Sequence, residues 1–455
     1  MSAGGSSRLE RKQLKRDRRI IAIAGAGIAG MTAALFLERA GFRVLLFEKS
    51  ELPSSSGTGI QISPNAFKVL DKLGLARLVT TVGFSPESIQ IRSGRTGKDL
   101  AEFKLGESCL KRHGAPYTTI HRVDLAHILQ TACDDREDIE TRRGYQVADL
   151  TAHANGLTML CETKDDFSEE FVVSAVIGAD GAWSNLRRFV HHSGVPEFTG
   201  HVAWRALMDM DKAGPTISRK STGLWLGPGC HLVHYPVRDG SLLNVIAITP
   251  WQRDHAPKRG WLQQSALDDR SIMFDDWQPQ LQHLVNAHVE WGGWPIFATK
   301  KVRGFANGPL CLIGDAAHAM VPYGAQGGAC AIEDAYLLAS VCSQLRDDLP
   351  QAFKQFERHR RARVRKVMQL SRNNRHIYHL QRPLSWARNA VMYLSAQESL
   401  QKRMDWLYGW EPTPPKVVPR SNLSFLDRLS SLWLSKEEQK AQTPSDETDS
   451  DPATK

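Results

Sequence analysis

The sequence predicts an α/β protein in which a Rossmann-like dinucleotide-binding domain carries an inserted, mostly antiparallel β-sheet and ends in C-terminal helices. Three observations carry that expectation. A strand, a glycine turn and a helical pattern follow one another over residues 19–40. Two later apolar runs, at 172–178 and 310–313, each deliver a Gly and an Asp at their exits. Between them, strand-like runs hold seven of the chain's twelve tryptophans, from Trp204 to Trp294. Strands alternating with helices imply a parallel sheet with helices on its faces. The tryptophan-rich stretch reads instead as a sheet suited to covering an apolar pocket.

The first unit is the most informative. Ile20-Ile21-Ala22-Ile23-Ala24 is a short apolar run, right for a strand buried on both faces. Gly25, Gly27 and Gly30, with Ile28 and Ala29 between the last two, have the G-x-G-x-x-G spacing. Gly25 makes the turn, Gly27 lets a pyrophosphate approach the backbone, and Gly30 lets the helix pack closely on the strand. The helix N-terminus offers that pyrophosphate unpaired N–H groups and a positive dipole. A second strand, 43–47, ends at Glu48, 18 residues after Gly30, where a carboxylate accepts bonds from a ribose diol. Close strand–helix packing also selects small residues, but all five features in register favour nucleotide binding.

Further along, a glycine-bearing loop at 57–65 enters a short strand, and a helix follows to Leu73 with Gly74 as its C-cap. The run 120–125 leads into another helix with Arg122 near its start. A guanidinium there suits phosphate bidentately, and an exposed salt bridge is an equal alternative on local sequence. The strand at 172–178 leads through Asp180 and Gly181 into a helix expected to begin over 182–188. The strand at 310–313 leads through Gly314, Asp315 and His318 to a turn holding Gly327 and Gly328, and then to a helix. One Gly-Asp is an ordinary turn. Two at strand exits, beside the glycine fingerprint, put acids where ligands bind in open α/β sheets.

The chain is then helical to about 410, and Glu411-Pro412-Thr413-Pro414-Pro415 marks a linker. Phe425, Leu426, Leu429, Leu432 and Trp433 stand at helical spacing, an amphipathic helix for docking on the body, a partner or a membrane. A polar, disordered tail is expected from Gln439. The organisation that follows is a basic flexible tail at 1–18, a discontinuous nucleotide domain at 19–189 and 301–410, a substrate domain at 190–300, and linker, helix and tail at 411–455.

Composition bounds the rest. Over 455 residues, 42% hydrophobic and 24% charged content suit a globular chain, and no apolar run reaches the roughly 18–20 residues of a membrane span. The N-terminus has charge without an apolar h-region, which argues against a secretory signal and makes the cytoplasm the default. Seven cysteines without a C-x-x-C pair favour reduced thiols and argue against a zinc site. Much of the net charge of +9 sits in two runs: 8–19, with seven Arg or Lys, and 358–366, where six of nine residues are Arg or Lys. The second run lies in a helical pattern beside Phe353, Phe356, Val367 and Leu370, so a solvated helix face is favoured over a nucleic-acid site.

Taken together, the motifs resemble those of the single-component FAD-dependent aromatic hydroxylases, whose fold is of the p-hydroxybenzoate hydroxylase type. The branch resembled is that of salicylate hydroxylase and 3-hydroxybenzoate 6-hydroxylase. The likeness spans about 18–410 and rests on the glycine fingerprint, on Gly178-Ala179-Asp180-Gly181, and on Gly314-Asp315-Ala316-Ala317-His318 with the 322–328 turn. It implies bound FAD, with Asp315 at the ribityl and pyrophosphate region and Arg122 near the phosphates. Asp180 and Gly181 are associated in the family with both FAD and NAD(P)H. No Cys or His stands in a flavin-linkage context, so the FAD is expected to be non-covalent. No second G-x-G-x-x-G is present, so NADH or NADPH would visit the flavin transiently.

The resemblance also implies the chemistry. NAD(P)H reduces the flavin, O2 adds to give the C4a-hydroperoxide, and one oxygen passes to a small phenolic or aromatic acid. Backbone N–H groups at the 324–328 turn would stabilise negative charge on the reduced flavin. Strand alternation puts His231 and Tyr235 on one face and His234 on the other. His231 and Tyr235 resemble the branch's substrate-contacting pair, with a neutral His suited to taking a phenolic proton; plain packing is the alternative. His318 reads as structural. Pro322 stands where 3-hydroxybenzoate 6-hydroxylases carry a polar side chain, a departure that bears on the substrate. Two other functions stay open: a membrane-associated hydroxylase of a quinone precursor, and a flavin-binding sensor without turnover.

Overall fold

In a computed structural model, five strands align in parallel around the glycine unit. The structure describes residues 19–418 apart from 53–57, 154–155, 166, 191–193, 216, 253–256, 258–273, 287–290 and 303. The order across this sheet is Ala306–Asn307, Leu310–Leu312, Ala175–Gly178, Ile20–Ala24, Arg43–Glu48 and Ile139–Arg143, with only the first strand antiparallel to its neighbour. Ile21, Ile23, Val44, Leu46, Val176 and Ile177 are wholly buried, as continuous apolar runs in a two-sided sheet require. Helix Ile28–Arg39 packs against helix Gly327–Gln344, which follows the third motif. Residues 1–415 form one compact unit; 416–455 form a second, described only over 416–418. The 1–18 tail and the 424–435 amphipathic segment lie outside the described residues.

The second sheet has seven strands, in the order Gly292–Ala298, Glu197–Asp209, Leu242–Pro250, His231–Val237, Ser221–Leu226, Ser88–Ser93 and Asp99–Lys104. All neighbours are antiparallel except Ser221–Leu226 with Ser88–Ser93. The sheet therefore extends beyond the 190–300 segment. Its last two strands come from within 19–189, because Ser88–Ser93 pairs with Ser221–Leu226 along its whole length. One face buries Trp204, Trp225, Leu232 and Val245 against Trp277 and Trp291. The other face looks into the interior of the protein.

The expectation of a helix over 182–188 is corrected. Only a 3₁₀ turn forms, at Leu186–Phe189. The Asp180 carboxylate accepts from Asn185 N–H at 2.9 Å, while the Arg187 guanidinium reaches back to the carbonyls of Ala182, Ala316 and Asp315 at 2.8–2.9 Å. These side-chain bonds satisfy groups that a longer helix would otherwise occupy.

The solvated-face reading of 358–366 holds for Arg358, Arg365 and Lys366, which are exposed, and is corrected for Arg360 and Arg363. Helix Leu349–Tyr378 turns Arg360, 1% exposed, inward onto Glu333 (2.7 Å) and Asp334 (2.6 Å), and Arg363 bonds Glu333 with two nitrogens at 2.7 Å. Asp334 also accepts from Gly314 N–H at 2.9 Å and from His318 at 2.6 Å, and Glu333 accepts from Asn65 at 2.6 Å. Burial opposes ionisation of both acids, but the Arg360 charge and these hydrogen bonds outweigh it and hold them below the usual carboxylate range. His318 is thus structural.

Removing one member of such a buried ion cluster costs about 3–5 kcal/mol. Arg360→Met should lose that much in urea unfolding, whereas exposed Arg358→Ala should stay within about 0.5 kcal/mol of the parent. Equal effects would mean that the run is solvated after all.

Candidate active site

A cavity of about 950 Å³ separates the two sheets and holds every residue singled out for the nucleotide except Gly30. Gly25 (φ +104°) and Gly30 are required by packing. A Cβ would fall 2.5 Å from the Ala179 carbonyl oxygen in the first case and 1.9 Å from the Gly25 carbonyl oxygen in the second. Gly27 differs, since a Cβ there would meet nothing within 4 Å and would project into open space. That space lies against helix Ile28–Arg39, whose N-terminus has no side-chain cap, with Ile28 and Ala29 at the cavity wall. Glu48 accepts from Ala26 N–H at 3.0 Å and borders the same space.

The other two motifs adjoin it on the neighbouring strands of the same sheet. Asp180 Oδ1 is buried with no hydrogen-bond partner among the described residues, and Gly181 (φ +80°) has open space where a Cβ would be. Asp315 is exposed at the start of the Asp315–His318 turn, near Gly327. Gly328 admits Ile60, whose Cδ1 would lie 2.7 Å from an added Cβ. Arg122 opens helix Arg122–Asp134, exposed on the cavity wall. An open glycine cradle, an orphaned carboxylate oxygen and an uncapped helix N-terminus fit the pyrophosphate and hydroxyls of FAD.

Facing them, strand His231–Val237 presents His231, Val233 and Tyr235 to the cavity. His234 points the other way, against Gly223 and Trp225. Arg205, on the neighbouring face of Glu197–Asp209, lies over Trp294 at 5.2 Å. Its Nε is buried without a partner, and its described bond is a long one, 3.4 Å, to the Thr58 hydroxyl. No carboxylate among the described residues pairs with it.

His231 heads a chain of three imidazoles. Its Nδ1 is 2.8 Å from His379 Nε2, and His379 Nδ1 is 3.2 Å from His201 Nε2. His201 Nδ1 is 3.3 Å from the Thr199 carbonyl oxygen. That oxygen can only accept, so His201 Nδ1 carries the proton, and in the neutral chain each ring donates through Nδ1 to the next. The alternation leaves His231 Nε2 with a free lone pair. Burial, helped by its histidine neighbours, lowers His231 to about 3 and His379 to about 2; burial with Arg375 lowers His201 to about 4. All three rings are therefore neutral near pH 7. Sequence reasoning missed Arg205, His201 and His379. The first two share a strand face with Ala203, a period-2 signal, whereas His379 follows a helix end and carries no local cue.

A cleft of this form, with three glycine- and acid-bearing motifs along one wall and side chains projected from a sheet along the other, is that of a flavoprotein of the FAD-binding monooxygenase fold. Residues 19–371 match the FAD binding domain family. The chain is 30% identical to 3-hydroxybenzoate 6-hydroxylase of Klebsiella oxytoca, over 86% of its own length and 96% of the relative's. It is 32% identical to a 3-amino-4-hydroxybenzoate 2-monooxygenase of Streptomyces platensis, over 88% and 98% of the two chains. It is also similar to the crystal structure of Klebsiella pneumoniae HpxO complexed with FAD and uric acid, with a TM-score of 0.75 at 25% identity, covering 86% and 96%. The chain belongs to the FAD-dependent aromatic hydroxylases. No described helix is long and apolar enough to cross a membrane.

Two outcomes are expected. Gly27→Val should leave the unliganded fold intact yet strip FAD, read as flavin absorbance per protein, whereas Gly30→Ala should destabilise the fold itself. The second concerns acid. An unfolded His titrates near 6.5, so from about pH 6.5 down to 4 the unfolded chain binds more protons than the folded one. Stability is then full above that window and falls as pH drops through it. His379→Gln should flatten the slope of Tm against pH there; an unchanged slope would contradict the buried neutral chain.

Proposed function

We propose that this FAD-dependent monooxygenase hydroxylates a small phenolic acid at the expense of NAD(P)H and O2, with His231 taking the phenolic proton. The observation that carries this is the free lone pair on His231 Nε2, set by a fixed tautomer chain and placed on one cavity wall with an unpaired guanidinium. Arg205 would hold the substrate's carboxylate, since a half-buried guanidinium without a carboxylate partner favours a ligand anion. Tyr235, neutral because burial raises its pKa, would donate a hydrogen bond that orients the ring.

Gly27, Asp180, Gly181, Asp315, Gly327 and Gly328, with Glu48 for the ribose and Arg122 for the phosphates, would hold FAD, which when bound would supply the oxygen chemistry. The chain's own part is to orient the ring, exclude water and move a proton. On uptake at Nε2, His231 releases its Nδ1 proton to His379, which releases its own to His201. The charge then passes to His201, whose Nδ1–H stays on the Thr199 carbonyl oxygen. A substrate anion nearby raises the proton affinity of His231 further.

His231→Asn should keep FAD and flavin reduction near normal while slowing hydroxylation by roughly 10²–10⁴-fold, with partial rescue as rising pH ionises the phenol in solution. Equal slowing of both half-reactions would remove the proton role. Arg205→Gln should weaken binding of a phenolic acid by about 1.5–3 kcal/mol and of an uncharged phenol far less.

Membrane or self-association through 424–435 is carried by the sequence pattern alone. Deleting 412–455 should abolish vesicle binding if that segment anchors the chain, and unchanged partitioning would remove the idea.

A further inference from the structure

The inward face of the seven-stranded sheet does not end at the reacting groups. Following the register outward from Arg205, the facing residues are Ile246, Val233, Leu224, Ile91 and Ala101. One row along, Ile89 faces Phe103. The ionisable groups of the wall, Arg205, His231 and Tyr235, thus lie no further out than strand His231–Val237, and beyond it these rows are apolar apart from Thr222, which pairs with Ile89. From strand His231–Val237 to edge strand Asp99–Lys104 there are three strand spacings, about 14 Å. Across from this stretch stand Met392 of helix Leu384–Leu394 and Met404, and all these residues except Ala101 border the one cavity.

Burial changes along this inward face. At the reacting end His231 and Tyr235 are both 2% exposed. Further out, Ile89, Ile91, Phe103, Met392 and Met404 are only half-buried, although they lie between a sheet and helices. The layers border a chamber that side chains fill only in part. Arg403 and Asn373, which also border it, are exposed to solvent and mark its mouth.

We infer that the substrate is a phenolic ring bearing an extended apolar substituent, which lies in this chamber between the 88–104 hairpin and the helices at 384–408. This rests on the hydroxylase reading above. A single ring at His231 and Arg205 would leave the chamber's apolar wall wetted, whereas an alkyl or prenyl chain, or a second ring, would cover it. The apolar lining also disfavours the nicotinamide dinucleotide as occupant, because its phosphates would lose water without gaining partners.

The test uses the flavin-loaded full chain and a series of hydroxybenzoates substituted from methyl to octyl. Binding is read from perturbation of the flavin spectrum, so turnover is not needed. Kd should fall roughly fourfold per methylene and level off once the chamber is full. In Met392→Trp, and separately in Met404→Trp, the ratio of octyl to methyl affinity should collapse towards one. A Kd flat or rising with chain length, while the short acids bind, would overturn this inference and leave the hydroxylase reading standing. Failure of every member to perturb the flavin would overturn both. A chain-length gain untouched by either Trp variant would place the substituent elsewhere and overturn the chamber.

Discussion

The Asp334 carboxylate, buried and shared among three donors, is the contact on which the cofactor side of the molecule depends. It takes the N–H of Gly314, the ring of His318 and the guanidinium of Arg360. Through Gly314 it fixes the exit of strand Leu310–Leu312, and hence the position of Asp315 in the cleft. Glu333 beside it ties in Asn65 and Arg363. Two acids and two guanidiniums balance in charge, which is what makes ions tolerable where water cannot reach them. The arrangement also explains why a helix beginning near residue 350 can define a turn at 314. Long-range electrostatics, not chain proximity, closes the site.

The two halves of the cavity use different chemistry for a physical reason. On the dinucleotide side the contacts are backbone and small residues, because phosphates and diols are met best by N–H groups and by close approach. On the ring side the contacts are side chains projected from a twisted antiparallel sheet, where alternate positions can be polar without disturbing the ladder. Packing one face of that sheet densely with tryptophan leaves the other free to hold a ligand.

Desolvation sets the state of the ring pocket. Three imidazoles within hydrogen-bond reach would repel one another if charged, and burial removes the water that would make that bearable. Held neutral, they order by donor and acceptor, and a single carbonyl at Thr199 determines which nitrogen of His231 is bare. The same dryness leaves Arg205 seeking an anion.

What the sequence determined by itself was everything fixed by local backbone geometry and by period. Gly25, Gly27 and Gly30 were legible because turn, approach and packing each demand a missing Cβ within a few residues. Asp180 and Asp315 were legible because each follows its strand directly, and the opposed facing of His231 and His234 follows from alternation alone. Only the tertiary structure decided the rest. The period of Ser88–Ser93 marks a strand but not its partner, Ser221–Leu226, more than a hundred residues on. The basic run at 358–366 looked solvated because its acids sit 26–30 residues earlier on another helix. His231, His379 and His201 meet across separations of 148 and 178 residues. Burial and charge pairing depend on which distant segments pack together, and no local pattern carries that information.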